Sequence, residues 1–489
     1  MNRPIRRVGY AMTVLILILI GQLTYLQVVD ASRLANDKRN VRGALKAYNR
    51  ARGEILTADG SVVAQSLPSK GDFKYVRFYP QGALFAHTAG YQSFVDLVGS
   101  TGVEQTYSDV LTGQDTSLQL SDLGGVLNGK SATNNVVMSL TEAAQKTAET
   151  ALKNQRGSVV ALDVKTGAVL AMYSNPTFNP NGLSVHDTQV VQTTFNQINS
   201  GDKAALQRAY RDRYPPGSTF KVVTSKSAIE AGIATPDDPV FPDQDGFALP
   251  GTNTTLFNFG GQGNPCGGTL RQSLVNSCNA TFAALGYQLG SAFTPAMEQC
   301  GINSTPPIDI SPSAVASVGP LATANKPRFA LAGIGQGDVF TSPLQMALIA
   351  EGIASGGKIL EPHVVKEIQN SDGKTVRTVD AKEWKTCMSP TTAQSLTSMM
   401  IDVVNQGTGT AASLADEGIT VAGKTGTAQT APNENPHAWF IAFAPAEAPR
   451  YAVAVIIEHG GDFGNEATGG QVAAPIAKQV LQTLLASKP

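Results

Sequence analysis

The sequence predicts a mixed α/β (α+β) protein that carries one transmembrane helix at its N-terminus. Strand-like runs occur at 157–174 and again at 419–459, and helical patterns fill the chain between them. A long apolar segment precedes all of these elements. Because strands flank the helices on both sides, we expect one sheet that is built from both ends of this region and covered by helices.

The apolar segment at residues 9–29 is the predicted transmembrane helix. Residues Val8 to Val29 include no charged side chain, and three arginines lie just before them. At about 1.5 Å per residue, such a run crosses a bilayer core of roughly 30 Å. A cleaved signal peptide is the alternative, but its apolar core is usually shorter and is followed by a cleavage pattern that is missing here. Residues 1–8 are then a short tail.

Length, net charge and cysteine content limit the classes of protein to which the chain can belong. The chain has 489 residues and a formal net charge of −1, with no basic excess that would indicate a nucleic-acid partner. Its length favours two or three domains. All four cysteines lie in the second half, and Cys266 and Cys278 are the closest pair in sequence. We favour a disulfide between these two, with free buried thiols as the alternative.

Residues 30–133 form a small region of mixed structure. Residues 50–66 predict two strands joined by a turn at Asp59-Gly60. Residues 102–113 predict a helix that stops at a glycine, and residues 124–135 have the composition of a linker.

Residues 134–489 show a different pattern. A helix is predicted at 140–154 with Thr141 as its N-cap, and two strands within 157–174 are joined at the turn 165–167. The other predicted elements are helices at 220–231, 272–289, 343–354 and 473–486, and strands at 419–428, 438–444 and 451–459.

The first candidate motif is Ser218-Thr219-Phe220-Lys221. The pattern S-x-x-K occurs four times, and its other copies, at Ser200, Ser355 and Ser371, lie in glycine-containing turns. Ser218 instead follows Tyr-Pro-Pro-Gly and begins an apolar run that predicts a helix. On a helix, Lys221 would share a face with Ser218, and the serine N–H could hold an oxyanion. Burial and a second cation would keep the lysine neutral and therefore basic.

The second motif, Ser277-Cys278-Asn279, is the only S-x-N in the chain. It is predicted at the start of a helix or in the turn before it. The hydroxyl can pass a proton to a leaving group, and the amide can hold a substrate carbonyl. An ordinary helix N-cap is the alternative interpretation.

The third motif, Lys424-Thr425-Gly426-Thr427, lies in a predicted strand. Gly426 would allow another group to approach the strand closely, and the lysine and threonines suit an anionic substrate end. A second K-T-G, at Lys165–Gly167, falls in the predicted hairpin turn and precedes the serine. The order S-x-x-K, S-x-N, K-T-G is the signature of penicillin-binding proteins and serine β-lactamases.

With these motifs, the chain resembles the class B penicillin-binding proteins, the monofunctional peptidoglycan D,D-transpeptidases. The resemblance extends over nearly the whole chain and is closest to the actinobacterial type with a short pedestal. It also rests on Arg52-Gly53-Glu54-Ile55 with Asp59-Gly60, Gly102-Val103-Glu104 with Tyr107, Gly157–Pro176, Gly335-Gln336-Gly337 before Thr341-Ser342-Pro343, and Gly407–Ala412. It implies a pedestal or dimerisation-like domain at 30–133 and a penicillin-binding/serine β-lactamase-like transpeptidase domain at 134–489.

The resemblance implies a catalytic role for three residues. Ser218 would attack the carbonyl of the penultimate D-Ala of a stem peptide, and Lys221 would take its proton. Ser277 would relay a proton to the leaving D-Ala. An amine of a neighbouring stem would then attack the acyl-enzyme, and β-lactams would acylate Ser218.

The resemblance also implies the substrate-binding residues. Asn279 would bind the substrate backbone, and Lys424, Thr425 and Thr427 would hold the terminal carboxylate on the strand that contains Gly426. The backbone N–H groups of Ser218 and Thr427 would form the oxyanion hole. A Cys266–Cys278 bridge would stiffen the second motif.

The expected partners are peptidoglycan stem peptides, β-lactam antibiotics, the membrane and, by resemblance, a SEDS-type glycosyltransferase bound through the membrane helix and pedestal. The C-terminal domain would be extracytoplasmic on a single-pass anchor in the cell membrane. We expect no metal, no cofactor and no nucleic acid. A D,D-carboxypeptidase, a serine β-lactamase and a non-catalytic scaffold for wall synthesis are the alternatives.

Overall fold

The computed structural model describes residues 2–30, 48–71, 73–95, 97–121, 133–431 and 434–487 of the chain. These residues divide into two compact units, one made of 1–51 with 67–76 and the other of 52–66 with 77–489. Most of the predicted linker at 124–135 lies outside the described residues, and its last residue, Asn135, begins a strand.

The strands are β1 Ile55–Leu56, β2 Val62–Pro68, β3 Tyr75–Phe78, β4 Asn135–Met138, β5 Gly157–Asp163, β6 Val169–Asn175, β7 Phe241–Gln244, β8 Gly246–Ala248, β9 Thr255–Phe257, β10 Cys266–Gly268, β11 Lys358–Leu360, β12 Val365–Gln369, β13 Thr375–Thr378, β14 Glu383–Thr386, β15 Ala422–Ala428, β16 His437–Ala444 and β17 Tyr451–Ile457.

The α-helices are α1 Asn2–Thr24, α2 Gly102–Thr106, α3 Ser108–Leu111, α4 Thr116–Ser121, α5 Glu142–Leu152, α6 Asn181–Ser184, α7 Thr188–Asn199, α8 Lys221–Glu230, α9 Leu270–Val275, α10 Asn279–Leu289, α11 Phe293–Glu298, α12 Lys326–Gly333, α13 Pro343–Ala354, α14 Pro390–Gln406 and α15 Ala474–Ala486.

The expected sheet from both ends of the second region is present as a five-stranded antiparallel sheet in the order β15-β16-β17-β5-β6. Every residue of β16 and β17 is buried, which explains why these strands are continuous apolar runs without polar alternation. Helices α5 and α15 pack together against the sheet, and so do α13 and α14. Strand β15 lies at the edge of this sheet, and it carries the third motif.

A second, six-stranded sheet has the order β13-β12-β4-β1-β2-β3. The predicted hairpin at 50–66 is confirmed, because β1 pairs with β2 in antiparallel fashion and Gly60 N–H donates to Thr57 O across the turn. Strands from both sides of the predicted domain boundary at 133/134 share this sheet, so the boundary does not separate two sheets. The division into two domains there remains a prediction.

Beside this sheet, the carboxylate of Glu104 is fully buried between two arginines. Its oxygens lie 3.0 Å from Arg52 and 2.5 Å from Arg77. Burial alone would raise the pKa of Glu104, but the two guanidinium groups lower it overall. A buried charge is tolerated when it is paired in this way.

Two predicted helices are interrupted in the structure. The helix expected at 102–113 is divided at Tyr107 into α2 and α3. The helix expected at 272–289 is divided into α9 and α10, because Ser277 has a φ of +59°, which a right-handed helix cannot contain. The second motif occupies this interruption. The predicted helix with Thr141 as N-cap is confirmed, since the Thr141 hydroxyl accepts the N–H of Ala144.

The N-terminal segment is helical where the sequence predicts a membrane span. Within the described ranges, Arg3–Val28 is the one helix long and apolar enough to cross a membrane, with a mean hydropathy of 1.9.

Candidate active site

Ser218 is carried by a short 3-10 helix, Gly217–Phe220, that runs directly into α8. Gly217 has a φ of +53°, and a Cβ atom there would lie 2.7 Å from the carbonyl oxygen of Thr427. Glycine is therefore required for the serine to lie so close to β15. The Gly217 N–H donates to the carbonyl of Gly335 at 2.9 Å, which fixes the turn that precedes the serine.

Lys221 is fully buried one turn after Ser218. Its Nζ donates to Ser277 O at 2.6 Å, to Asn279 Oδ1 at 2.7 Å and to Ser277 Oγ at 3.3 Å. Burial, and then the charge of Lys424, lower the pKa of Lys221 well below its usual value. The predicted neutral base is therefore favoured, although none of its hydrogen bonds in the described structure goes to Ser218. Such bonds often form only when substrate is bound.

The second motif lies in the turn between α9 and α10. A disulfide joins Cys278 to Cys266 on β10, so the favoured pairing is confirmed. Cys300 and Cys387 form a second disulfide, and the free-thiol alternative is wrong. The side-chain amide of Asn279 donates to the carbonyl of Phe257 at 2.8 Å, which ties the turn to strand β9.

Lys424 lies on the edge strand β15 with its side chain fully buried. Its Nζ donates to Ser277 Oγ at 3.0 Å and to the carbonyl of Thr425 at 3.1 Å. Burial lowers the pKa of Lys424 to about 7. The Ser277 hydroxyl thus lies between two lysine nitrogens, both of which lose their protons more readily than an exposed lysine.

Gly426 explains how the third motif and Ser218 come together. A Cβ atom at this position would lie 2.9 Å from the carbonyl oxygen of Pro216 and 2.9 Å from a Thr219 methyl carbon. Only a residue without a side chain lets the edge strand pack against the turn that carries Ser218.

These residues surround one cleft of about 800 Å³. Ser218, Ser277, Asn279 and the Thr425–Thr427 segment line it, with Lys221 and Lys424 buried beneath. Six of the eight predicted site residues therefore line the cleft, and the other two, Lys221 and Lys424, reach it through their hydrogen bonds to Ser277. Ser200, Ser355 and Ser371 do not line it.

Several other residues of the cleft have no function predicted from the sequence. These are Thr255–Gly261, Asn276, Leu331, Ile334, Gln336, Gly337, Thr408, Gln429, Pro436, Asn465 and Thr468–Gly470. Thr408 and Gln336 belong to segments that contributed to the resemblance. No local pattern distinguishes the Thr255–Gly261 segment, whose place at the cleft depends on contacts with the second motif.

The family assignment follows from comparison with known proteins. The penicillin binding protein transpeptidase domain matches residues 157–482, and the penicillin binding protein A dimerisation domain matches residues 52–137. The chain belongs to the penicillin-binding protein transpeptidases. The predicted fold and the predicted class of serine-type, penicillin-binding enzyme are thereby confirmed.

Relatives of this penicillin-binding protein are similar over their full lengths. The peptidoglycan D,D-transpeptidase PbpA of Mycolicibacterium smegmatis is 38% identical over 99% of both chains. The protein of the same name from Mycobacterium tuberculosis is 35% identical over all of both chains. The ceftriaxone acyl-enzyme complex of M. tuberculosis penicillin-binding protein A matches with a TM-score of 0.82 and 33% identity, covering 90% of this chain and 100% of that one.

Proposed function

We propose that this penicillin-binding protein cross-links peptidoglycan stem peptides through an acyl-enzyme on Ser218. The observation that supports this most directly is a shared hydrogen-bond partner. Lys221 Nζ and Lys424 Nζ both donate to Ser277 Oγ, and Ser277 lines the same cleft as Ser218. The PbpA relatives are named peptidoglycan D,D-transpeptidases, and the related penicillin-binding protein A forms acyl-enzymes with β-lactams.

In the acylation step, Ser218 Oγ attacks the carbonyl carbon of the penultimate D-Ala. Neutral Lys221 accepts the hydroxyl proton, and its lowered pKa keeps the amine unprotonated and so available as a base. The developing oxyanion is held by the backbone N–H groups of Ser218 and Thr427. The position of Ser218 at the start of a helix supports this, because unpaired N–H groups and the positive dipole end are found there.

The leaving group needs a proton when the C–N bond breaks. Ser277 is suited to deliver it, because its hydroxyl lies 3.3 Å from Lys221 Nζ and 3.0 Å from Lys424 Nζ. The proton passes from Lys221 through Ser277 to the amine of the departing D-Ala. An acceptor amine then attacks the ester carbonyl and loses a proton through Ser277 to Lys221. The C–O bond to Ser218 breaks, and Lys221 passes the proton to the departing Ser218 oxygen.

The binding residues orient the donor stem. Lys424, Thr425 and Thr427 hold its terminal carboxylate along the edge strand, which Gly426 keeps close to the nucleophile. Asn279 binds the peptide backbone of the donor. The burial of Lys424 supports this, since attraction between opposite charges is strengthened where water is excluded.

The two disulfides support an extracytoplasmic location for residues 134–489, because disulfides persist mainly in oxidising compartments. Residues 9–29 then span the membrane, with 1–8 on the cytoplasmic side. Residues 30–133 form the pedestal. A SEDS-type glycosyltransferase binds through the span and the pedestal.

The test is intact-mass measurement of the full-length protein in detergent after incubation with penicillin. We expect a stable adduct that Ser218→Ala abolishes. Ser371→Ala is the matched control, because it removes an exposed serine from another S-x-x-K and should leave the adduct unchanged. A donor and an acceptor stem peptide should then give a cross-linked product.

Other outcomes would replace the proposal. Rapid loss of the adduct with consumption of the drug would indicate a β-lactamase. Release of D-Ala without cross-linking would indicate a carboxypeptidase. Folded protein that never forms the adduct would indicate a scaffold.

A further inference from the structure

Thr408 lies in the active-site cleft but belongs to none of the three motifs. It follows α14, and the N–H groups of Gly407 and Gly409 on either side of it donate to the carbonyl of Val403 at 3.2 and 3.0 Å. Its side chain lines the same cleft as Ser218. Thr408 is therefore held at a helix end and remains accessible to a ligand in the cleft.

The hydroxyl of Thr408 lies 2.5 Å from that of Thr425, the second residue of the third motif. Lys424 Nζ also donates to Thr425 Oγ1, at 3.4 Å. A hydroxyl oxygen has two lone pairs and one proton. If Thr408 donates its proton, both lone pairs of Thr425 are occupied. The proton of Thr425 must then point to another acceptor.

The position of Thr408 is set by elements that are distant in sequence. A Cβ atom on Gly470 would lie 2.3 Å from the carbonyl oxygen of Thr408, so the two backbones are in direct contact. On the other side, a Cβ atom on Gly407 would lie 2.8 Å from the carbonyl oxygen of Val275. Preorganised donors of this kind bind a charged group without first having to be ordered.

We propose that Thr408 is a positioning residue for the terminal carboxylate of the donor substrate. Its hydroxyl donates to Thr425, so that Thr425 in turn donates to the carboxylate. The inference rests on the proposed function, because it takes the third motif as the carboxylate site. Thr408 therefore acts on the substrate carboxylate indirectly, through the hydroxyl of Thr425.

The experiment compares acid and amide forms of one donor peptide, ending in D-Ala-D-Ala or in its C-terminal amide, using the full-length protein. Thr408→Val removes the hydroxyl and keeps the shape of the side chain. A hydrogen bond to a charged group should be weakened, so kcat/KM for the acid should fall by about tenfold, mainly through KM. The amide should be affected less than about twofold, because it offers no anion. Thr408→Ser should restore most of the activity.

Thr410→Val is the matched control, since Thr410 lies in the same segment but does not line the cleft. It should leave both substrates unaffected. If Thr408→Val does not fold, Thr408→Ala provides the same comparison. Equal losses for acid and amide, or no loss for either, would overturn the inference. Failure of the unmutated protein to form the penicillin adduct would instead overturn the proposed function on which the inference rests.

Discussion

The chain contains the tripeptide Lys-Thr-Gly twice, and the two copies lie in different structural environments that give the same side chains different roles. Lys165-Thr166-Gly167 forms the exposed turn between β5 and β6. The carboxylate of Asp163 accepts hydrogen bonds from the N–H groups of Lys165 and Thr166, both at 2.9 Å. The Thr166 hydroxyl donates to the same carboxylate at 3.0 Å. The N–H groups of Lys165 and Thr166 and the Thr166 hydroxyl are thus satisfied within the turn.

The second copy, Lys424-Thr425-Gly426, lies on an edge strand against segments from distant parts of the chain. Lys424 is fully buried and donates to Ser277, and Thr425 is hydrogen-bonded to Thr408. Burial lowers the pKa of its lysine, and its threonine, Thr425, lines the cleft. The difference shows that the motif acquires its chemistry from its surroundings.

The largest expected difference between the two copies concerns the lysines. Lys424→Met keeps most of the side-chain volume but removes the cation and the partner of Ser277. The second-order rate of acylation by a fluorescent penicillin should fall by about 100-fold, as when a preorganised electrostatic group is removed from other active sites. Lys165→Met should leave that rate unchanged. Equal losses in both variants would remove the distinction between the copies.

The falling limb of the pH dependence of acylation should also come from the second copy. The rate should rise with pH while Lys221 loses its proton and becomes a base. Because burial lowers the pKa of Lys424 to about 7, kcat/KM should fall again above that pH as the carboxylate-binding charge is lost. Bound substrate stabilises that charge, so the falling limb of kcat should lie at higher pH. Lys165→Met should keep this bell-shaped pH profile. A rate that rises continuously to about pH 10 would contradict the role of Lys424 as the carboxylate-binding cation.

Replacing the glycine of each copy by alanine should separate an effect on acylation from an effect on stability. Gly426→Ala would place a methyl group against the carbonyl of Pro216 and should slow acylation by about tenfold by displacing Ser218, since misplaced groups lose much of their effect. Gly167 has a φ of +76° and a Cβ atom there would lie 2.7 Å from the carbonyl oxygen of Glu361, so Gly167→Ala should cost at least about 1–2 kcal/mol of stability. Thermal unfolding and acylation rates should be measured on both variants. Slow acylation by folded Gly167→Ala would contradict the prediction that this glycine matters only for stability.

The smallest expected effect concerns Thr166. Thr166→Val removes two hydrogen bonds at the protein surface, one from the Thr166 hydroxyl to Asp163 and one from the Ala168 N–H to that hydroxyl, and should lower the free energy of unfolding by about 1 kcal/mol. Acylation should not change. Denaturant unfolding measures the first quantity and the fluorescent-penicillin assay the second. A change in the acylation rate would show that the turn influences the active-site cleft.

Much of the active site could be predicted because its residues occur in short patterns with informative neighbours. The flanking sequence distinguished Ser218 from three other serines and Lys424 from Lys165. The predicted place of the second motif, in the turn before a helix, is confirmed by α10. The division of the predicted helix at 272–289 was missed, since no local signal marks Ser277 as a left-handed residue. Thr408 was placed in a family segment but given no function, because its partner is Thr425, which is close only in the folded chain.

The sequence by itself determined the apolar N-terminal helix, the central sheet from both ends of the second region, and the order of the three motifs. Each depends on composition, hydrophobic runs or short motifs that can be recognised within one segment. Only the tertiary structure decided that Lys221 and Lys424 meet at Ser277, and that strands from both sides of residue 133 share one sheet. Burial and long-range contacts set these features, and neither is encoded in the neighbours of any single residue.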